Sequence, residues 1–288
     1  MLRGLYTAAS GMIAQQRRHD TVTNNIANLN TPGFKVNNTA NRAFPEMLLS
    51  AIGGENAAQG PIGRLNTGVF AEENLLGMTQ GDMMETDRSQ DMAIASDIRV
   101  DGVTFDASGK SVDEDGNVTY QPQAFFTVQT PDGEQRYTRN GSFQTAADGT
   151  LVNADGLPVL GADGQPIVVQ GSWDDVTVTS DGRLLDQNTG LPLDGDPQLM
   201  LTRVNNPNEL IVEGNSLFRY AGEPDGIVPV QAGDGVEIRQ GFLERSNVDA
   251  SQSMVDLMSA LRAYEANQKV IQYYDSSLDK AVNDVGKI

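Results

Sequence analysis

The stretch that decides the fold is Met254-Val255-Asp256-Leu257-Met258-Ser259-Ala260-Leu261-Arg262-Ala263-Tyr264-Glu265-Ala266-Asn267-Gln268, with its continuation to Val285. Stepping alternately three and four residues from Met254 gives Leu257, Leu261, Tyr264, Gln268, Ile271, Asp275, Leu278, Val282 and Val285, so eight of the ten positions are apolar. A period of 3.5 residues held over four heptads is the pattern of a coiled-coil seam and predicts an amphipathic helix. Ser246 followed by Asp249 resembles a capping box and Gly286 a stop, which predicts a helix of about 40 residues, on the order of 60 Å. A helix that long is rarely packed against one small globular core.

The N-terminal segment repeats the spacing more weakly, through Leu2, Leu5, Ala9, Met12, Gln16, His19, Thr23 and Ile26. Thr31-Pro32-Gly33 ends this helix, because proline lacks a backbone donor and disfavours helical geometry at the residue before it. Four of the seven residues 24–30 are amides, Asn24, Asn25, Asn28 and Asn30. Asparagine prefers caps and turns to helix interiors, so partners outside the helix are expected for them.

Between these ends the character of the chain changes. Residues 1–45 carry a net charge of +4, residues 241–288 carry −2, and the remainder of the −19 total, −21, falls on residues 46–240. Glycine follows the same division, with 25 of 30 in the middle. Ten Asp-Gly pairs and one Asn-Gly pair lie between residues 101 and 235. Each suits a tight turn that needs positive φ, so the middle reads as antiparallel and hairpin-rich. Candidate strands are 124–130, 168–170, 176–179, 199–204 and 210–213. The Asp-Gly pattern at 148, 155, 163 and 181 recurs too irregularly for a solenoid. Residues 35–80, with Gly53-Gly54 and Pro61, read as an extended connector. The fold class is therefore α+β, with terminal helices flanking a β-rich antiparallel middle.

The composition excludes several functions. An acidic chain disfavours nucleic acid or an anionic membrane as its main partner. Zero Cys removes disulfides, thiolate zinc sites, iron–sulfur clusters and cysteine nucleophiles. The N-terminus lacks the apolar run of a cleaved secretory signal, and the most apolar short stretch, 47–52, is far below the roughly 20 residues that cross a bilayer. His19 is the sole histidine and falls on the first helical stripe, a poor place for a triad. Neither a phosphate-binding loop nor a dinucleotide fingerprint occurs. Asp113-Glu114-Asp115-Gly116-Asn117 has its glycine too early for a calcium loop and reads as an acidic turn. Trp173 beside Asp174-Asp175 reads as a structural residue. No catalytic, cofactor or metal residues are expected. A β-domain on a coiled-coil stalk, such as a surface adhesin, and a two-carboxylate hydrolase remain open on the residues alone.

Three sets of motifs then resemble one family. Ser10-Gly11-Met12, Gln15-Gln16, Asp20 and the run Thr23-Asn24-Asn25-Ile26-Ala27-Asn28-Leu29-Asn30-Thr31-Pro32-Gly33-Phe34-Lys35 are similar to the N-terminal signature of the bacterial flagellar rod and hook axial proteins. Gln240-Gly241-Phe242-Leu243-Glu244-Arg245-Ser246-Asn247-Val248 and Arg262-Ala263-Tyr264-Glu265-Ala266-Asn267-Gln268-Lys269-Val270-Ile271 resemble its tail. Phe125-Phe126-Thr127-Val128 and Tyr137-Thr138-Arg139-Asn140-Gly141-Ser142-Phe143 resemble its middle. Length and the ending Lys280-Ala281-Val282-Asn283-Asp284 favour a distal-rod type over hook or filament. Asp91-Met92-Ala93-Ile94 normally runs almost directly into Phe-Phe, so residues 96–123 read as an insertion.

The resemblance implies helices 1–34 and 243–288 paired as a coaxial coiled coil, a connector at 35–80 and an outer β-domain at 81–242. It implies an assembly interface on Leu5, Ala9, Met12, Asn24, Asn25, Ile26, Asn28, Met254, Leu257, Leu261, Tyr264, Ile271, Leu278 and Val282. Implied partners are copies of the chain, other rod and hook subunits and the flagellar type III export apparatus, with neither nucleic acid nor direct membrane insertion. The implied location is the flagellar basal body, reached by export without signal cleavage. The terminal stripes would be unburied before assembly, so the ends are expected to be disordered in the free monomer.

Overall fold

In the computed structural model, which describes residues 2–50, 61–100, 102–106, 109–231 and 233–285, the C-terminal periodicity forms helix α2, Ala250–Lys280. Asp249 caps it, its side chain accepting from the Gln252 amide at 2.9 Å, so the cap falls three residues later than the Ser246 expected from the sequence. The helix has 31 residues, followed by a single wide turn, Ala281–Val285, rather than the expected 40 or so. The expected stop at Gly286, the turn at Gly53-Gly54 and part of the 96–123 insertion lie outside the described residues. Helix α1 spans Leu2–Ala27 and stops four residues before Thr31, so Asn28 and Asn30 lie in the following turn, where asparagine is favoured.

Two compact units emerge: Met1–Ala27 with Asn37–Leu75 and Asp249–Ile288, and Asn28–Val36 with Leu76–Val248. In the first unit, α1 packs along α2. Residues 35–80, expected as an extended connector, carry two strand ladders, Val36–Ala43 with Val69–Gly77 and antiparallel Met47–Ser50 with Pro61–Leu65. Such pairing gives the backbone of a long segment partners it would otherwise seek in water.

The second unit is built on a six-stranded sheet in the order Leu210–Gly214, Leu217–Tyr220, Gln135–Thr138, Gln123–Gln129, Leu201–Val204, Ile227–Pro229. Gln123–Gln129 lies at its centre and is buried from Gln123 to Val128. Consecutive residues of a strand point to opposite faces, and here Phe125 and Phe126 enter different clusters. Phe126 meets Phe143 edge to face at 5.1 Å in a core with Met92, Ile94 and Trp173. Phe125 meets Phe218 at 5.8 Å in a second core with Tyr137 and Leu210. Trp173 is 2% exposed, as a structural tryptophan should be.

Turn chemistry shapes the rest of this unit. In nine of the ten Asp-Gly pairs the glycine has positive φ; Gly226 instead sits in a short 3-10 turn. The 168–170 strand reduces to one bridge, Thr150 to Val168. The insertion forms an antiparallel hairpin, Lys110–Val112 with Val118–Tyr120. At its tip Asp113 accepts from the Asn117 backbone at 2.7 Å and side chain at 2.9 Å, which makes the acidic sequence a closed turn.

Candidate functional site

On α1, three stripes of alternating three- and four-residue spacing face different surroundings. One stripe turns to the strands of its own unit: Thr7 donates to the Thr67 carbonyl, Ser10 accepts from the Val69 amide, and Thr21 accepts from Thr39 at 2.8 Å. Ala14 on this stripe is 1% exposed. At its end Asn25, 4% exposed, donates to the Asn37 carbonyl at 2.8 Å and accepts from the Asn37 amide at 3.0 Å. That side chain imitates the edge of a strand, so its partner lies within the chain. Asn24 is exposed, and Asn28 accepts from Thr31 in the turn at 3.1 Å.

A second stripe, Gly4, Ala8, Gly11, Gln15, Arg18 and Val22, lies against α2. Gly4 abuts the ring of Tyr274, Gly11 the amide of Asn267, and the Arg18 guanidinium lies 2.8 Å from the Asp256 carboxylate. Descending α2 as α1 ascends, these contacts make the pair antiparallel. The matching stripe on α2 is Ser253, Leu257, Ala260, Tyr264, Asn267, Ile271, Tyr274 and Leu278, each buried or half-buried.

The seam expected from the sequence is thus only half on this stripe. Leu257, Tyr264, Ile271 and Leu278 belong to it, whereas Met254, Leu261, Gln268, Asp275 and Val282 are exposed. The third stripe of α1, Leu5, Ala9, Met12 and Ile26, is half-buried, with Gln16 and Thr23 exposed. The reason is steric. Closely approaching helices admit small residues between them, here Gly4, Gly11, Ser253 and Ala260. The large side chains are displaced by one position. Large apolar residues alone therefore mark the buried stripe at Leu257, Tyr264, Ile271 and Leu278 and fall one residue from it at Met254 and Leu261. The missed signal was two glycines seven residues apart inside a helix, a placement that costs about 1 kcal/mol each unless packing requires it.

Several large apolar residues remain outward among the charged ones. Met254, Val255, Met258 and Leu261 are 55%, 56%, 53% and 47% exposed, and Val270, Tyr273 and Val282 continue along the helix. On α1, Tyr6 and Ile13 are also exposed. Surfaces of this kind mark association sites. Among the described residues no helix is long and apolar enough to cross a membrane, and no group of three or more His, Asp or Glu is placed to hold a metal ion.

In the second unit, three distant motifs converge on one buried ionic cluster that the sequence reading did not anticipate. Lys35 Nζ lies 2.6 Å from Glu244 Oε1 and also donates to the Thr79 carbonyl at 2.9 Å. Arg139 Nε lies 3.0 Å from Glu244 Oε2, as an ion pair whose angle is outside hydrogen-bond geometry. The remaining guanidinium nitrogens of Arg139 donate to the Ala124 carbonyl and Ser96, and its face lies over Phe125. Side-chain exposures are 1% for Lys35 and 0% for Arg139 and Glu244. Burial pushes the Lys35 ammonium down to about 8 despite the neighbouring Glu244. Burial pushes Glu244 up, but Arg139 and Lys35 together outweigh it and hold the carboxyl below its ordinary value.

Backbone packing closes around the same cluster. Gly33, at φ 68°, donates to the Glu244 carbonyl at 2.8 Å, and a Cβ there would meet the backbone of Arg139 and Asn140. Asn247 accepts from the Val36 amide at 2.7 Å and donates to the carbonyls of Gly77 and Thr79. The segment that follows α1 in sequence and the one that precedes α2 are thereby tied to each other.

The convergent motifs are those that known proteins share. Residues 5–35 match the family described as flagella basal body rod protein, 121–185 the flagellar hook protein FlgE/F/G D1 domain, and 239–284 the flagellar basal body rod FlgEFG protein C-terminal family. The flagellar hook-basal body complex protein FlhO of Bacillus subtilis is 37% identical over 292 residues, covering 100% of both chains. The flagellar basal-body rod protein FlgG of Borreliella burgdorferi is 32% identical over 98% of each chain, and FlgG of Bacillus subtilis 31% over 98% of this chain and 99% of its own. With its ends, its middle and nearly its whole length accounted for, the chain belongs to the flagellar basal-body rod protein family.

Proposed function

We propose that this chain is a structural subunit of the bacterial flagellar basal body that polymerises into the distal part of the rod and transmits torque from motor to hook. The observation that carries the reading is that α2 keeps large apolar residues on two sides, with Leu257, Tyr264, Ile271 and Leu278 on the stripe against α1 and Met254, Val255, Met258 and Leu261 turned outward. A self-sufficient helical hairpin would place its large apolar residues inside. Burying a large apolar side chain fully contributes about 1.5–3 kcal/mol, so a half-exposed row of four gains several kcal/mol when a neighbour covers it. Heterologous contacts of this kind, which do not close, generate open helical arrays.

In this reading residues 1–34 and 243–288 form the axial coiled coil, 35–80 the connecting ladders and 81–242 the outer domain, with 96–123 as an added hairpin. Copies of the chain and other rod and hook subunits are its partners, and the type III apparatus exports it without signal cleavage. The work is mechanical, and the family is one of structural proteins.

Leu261→Asp tests the reading. Leu261 is 47% exposed, so a charge there leaves the monomer folded but is unfavourable in a dry subunit interface. In a motile host lacking the gene, wild-type protein is expected to restore swimming and to label the shaft of purified basal bodies in electron micrographs. The variant is expected to restore neither. Normal swimming with Leu261→Asp, or intact basal bodies in the deletion strain, refutes the role.

A further inference from the structure

We propose that Gly4 and Gly11 are register notches that fix how α1 seats on α2, and so decide which residues of α2 are presented to neighbouring subunits. The register itself stands on the helix pair alone; its consequence for assembly rests on the function proposed above.

Glycine is the least favourable residue after proline in a helix interior, because it has the most conformational freedom to lose. Two of them in α1 therefore need a reason, and each has one. Where a Cβ would stand at Gly4, the hydroxyl end of the Tyr274 ring is already present. At Gly11, Asn267 Nδ2 lies 3.0 Å from the position of such a Cβ. The notches are seven residues apart on α1, and the side chains they receive are seven apart on α2 in the opposite order. The Arg18–Asp256 ion pair continues the same alignment towards the start of α2.

These three contacts reject the alternatives that a heptad pattern leaves open. Sliding α2 by one heptad sets Tyr274 against Gly11 and Asn267 against Arg18, or else Asn267 against Gly4 and Ala260 against Gly11. The first slide sets Ala263 in the place of Asp256 and leaves Arg18 without a carboxylate, and the second offers Asp249 to Arg18 but only the methyl group of Ala260 to the Gly11 notch. Sliding by three or four residues sets the Tyr274 ring against Ala8 or Thr7, where a Cβ already fills the space. Rotating α2 to bury Met254 and Leu261 turns Tyr274 and Asn267 away from both notches. Only the observed seating fills both notches and closes the ion pair, and it leaves Met254 and Leu261 outward.

The chain has no cysteine, which permits a direct test on the purified full-length monomer. Gln15→Cys lies on the α1 stripe that faces α2, and Ala263→Cys is half-buried on α2 beside Tyr264 of the facing stripe, so the register sets the two thiols between the Gly11–Asn267 contact and the Arg18–Asp256 pair. Mild oxidation of this reporter is expected to close an intramolecular disulfide. Adding Gly11→Leu should slow closure by roughly tenfold or more, by depleting the population in which the thiols meet. Adding Asn267→Ala on top, which opens the opposing side, should recover most of the rate.

Failure of the reporter to cross-link overturns the register. Unchanged closure with Gly11→Leu overturns the notch, as does a loss that Asn267→Ala does not rescue, since mere unfolding would not respond to that change. A chain that shows the rescue yet builds no rod refutes the functional reading and leaves this one standing.

Discussion

Replacing Glu244 by glutamine separates charge from shape at the centre of the ionic cluster. The substitution keeps the side-chain volume but leaves Lys35 and Arg139, 1% and 0% exposed, as two cations with no anion between them. Removing one partner of a buried ion pair costs about 3–5 kcal/mol. Lys35→Met removes a cation instead and leaves Arg139 and Glu244 as a neutral couple. Its cost is that of a lost donor to Glu244 and Thr79, roughly 1–2 kcal/mol. In a unit of 150–250 residues each kcal/mol moves Tm by about 2–4 °C. Glu244→Gln should therefore lower the main thermal transition by roughly 6–20 °C and Lys35→Met by roughly 2–8 °C. Scanning calorimetry on the purified variants reads both. If Lys35→Met costs as much as Glu244→Gln, the cluster is held by packing and the charge argument fails.

Stability should also respond to pH with two signs. Between pH 8 and the ordinary lysine value of 10.5 the folded chain has shed a proton that the unfolded chain keeps, so the unfolding free energy of wild type relative to Lys35→Met rises with pH across that window. Glu244 titrates below 4.5, so its contribution is complete above that value and is lost as pH falls through the lowered one; Glu244→Gln should lack this acid limb in urea titrations. Gly33→Ala imposes positive φ on a side chain and drives a Cβ to 2.5 Å from the Arg139 carbonyl carbon, so it should cost at least about 2 kcal/mol in equilibrium unfolding, with a loss under about 1 kcal/mol counting against it. In hydrogen exchange on the free monomer, amides of α1 and α2 should exchange far faster than those of Gln123–Gln129, and equal protection would show that the helices need no neighbours.

What the sequence disclosed depended on whether one residue type has one physical use. Aspartate followed by glycine has few uses other than a turn with positive φ, so the hairpins of the middle were legible from Gly116 to Gly235. Consecutive Phe125 and Phe126 announced a strand buried on both faces. A heptad of apolar residues has two uses, however, as an inward seam or as an outward binding face. Met254, Leu261 and Val282, expected on the seam and at an assembly interface, are exposed and turned away from α1. The ladders of residues 36–77 gave no periodic signal because their residues are mostly exposed or half-buried on both faces. The cluster of Lys35, Arg139 and Glu244 was invisible for another reason. Residues more than a hundred positions apart meet only once the sheet exists, and a single Lys or Glu carries no mark of burial.

The two units solve the problem of stability differently, and the difference bears on how a rod subunit can assemble. The unit containing the six-stranded sheet completes its own core, with two aromatic clusters, turns of fixed geometry and an internally neutralised carboxylate. The helical unit seats Tyr274 and Asn267 against Gly4 and Gly11 and leaves Met254, Val255, Met258 and Leu261 outside. Alone, such a pair is held by shallow packing and the partly exposed Arg18–Asp256 ion pair, which set its orientation more firmly than its stability. Assembly then supplies apolar burial to residues already aligned to receive it. The energy that stabilises the helices is the same energy that joins the subunits, so a helix that came loose from its neighbours would also lose much of its own support. A torque-bearing shaft gains from that coupling, because its subunits share load through elements that the subunit contacts themselves stabilise.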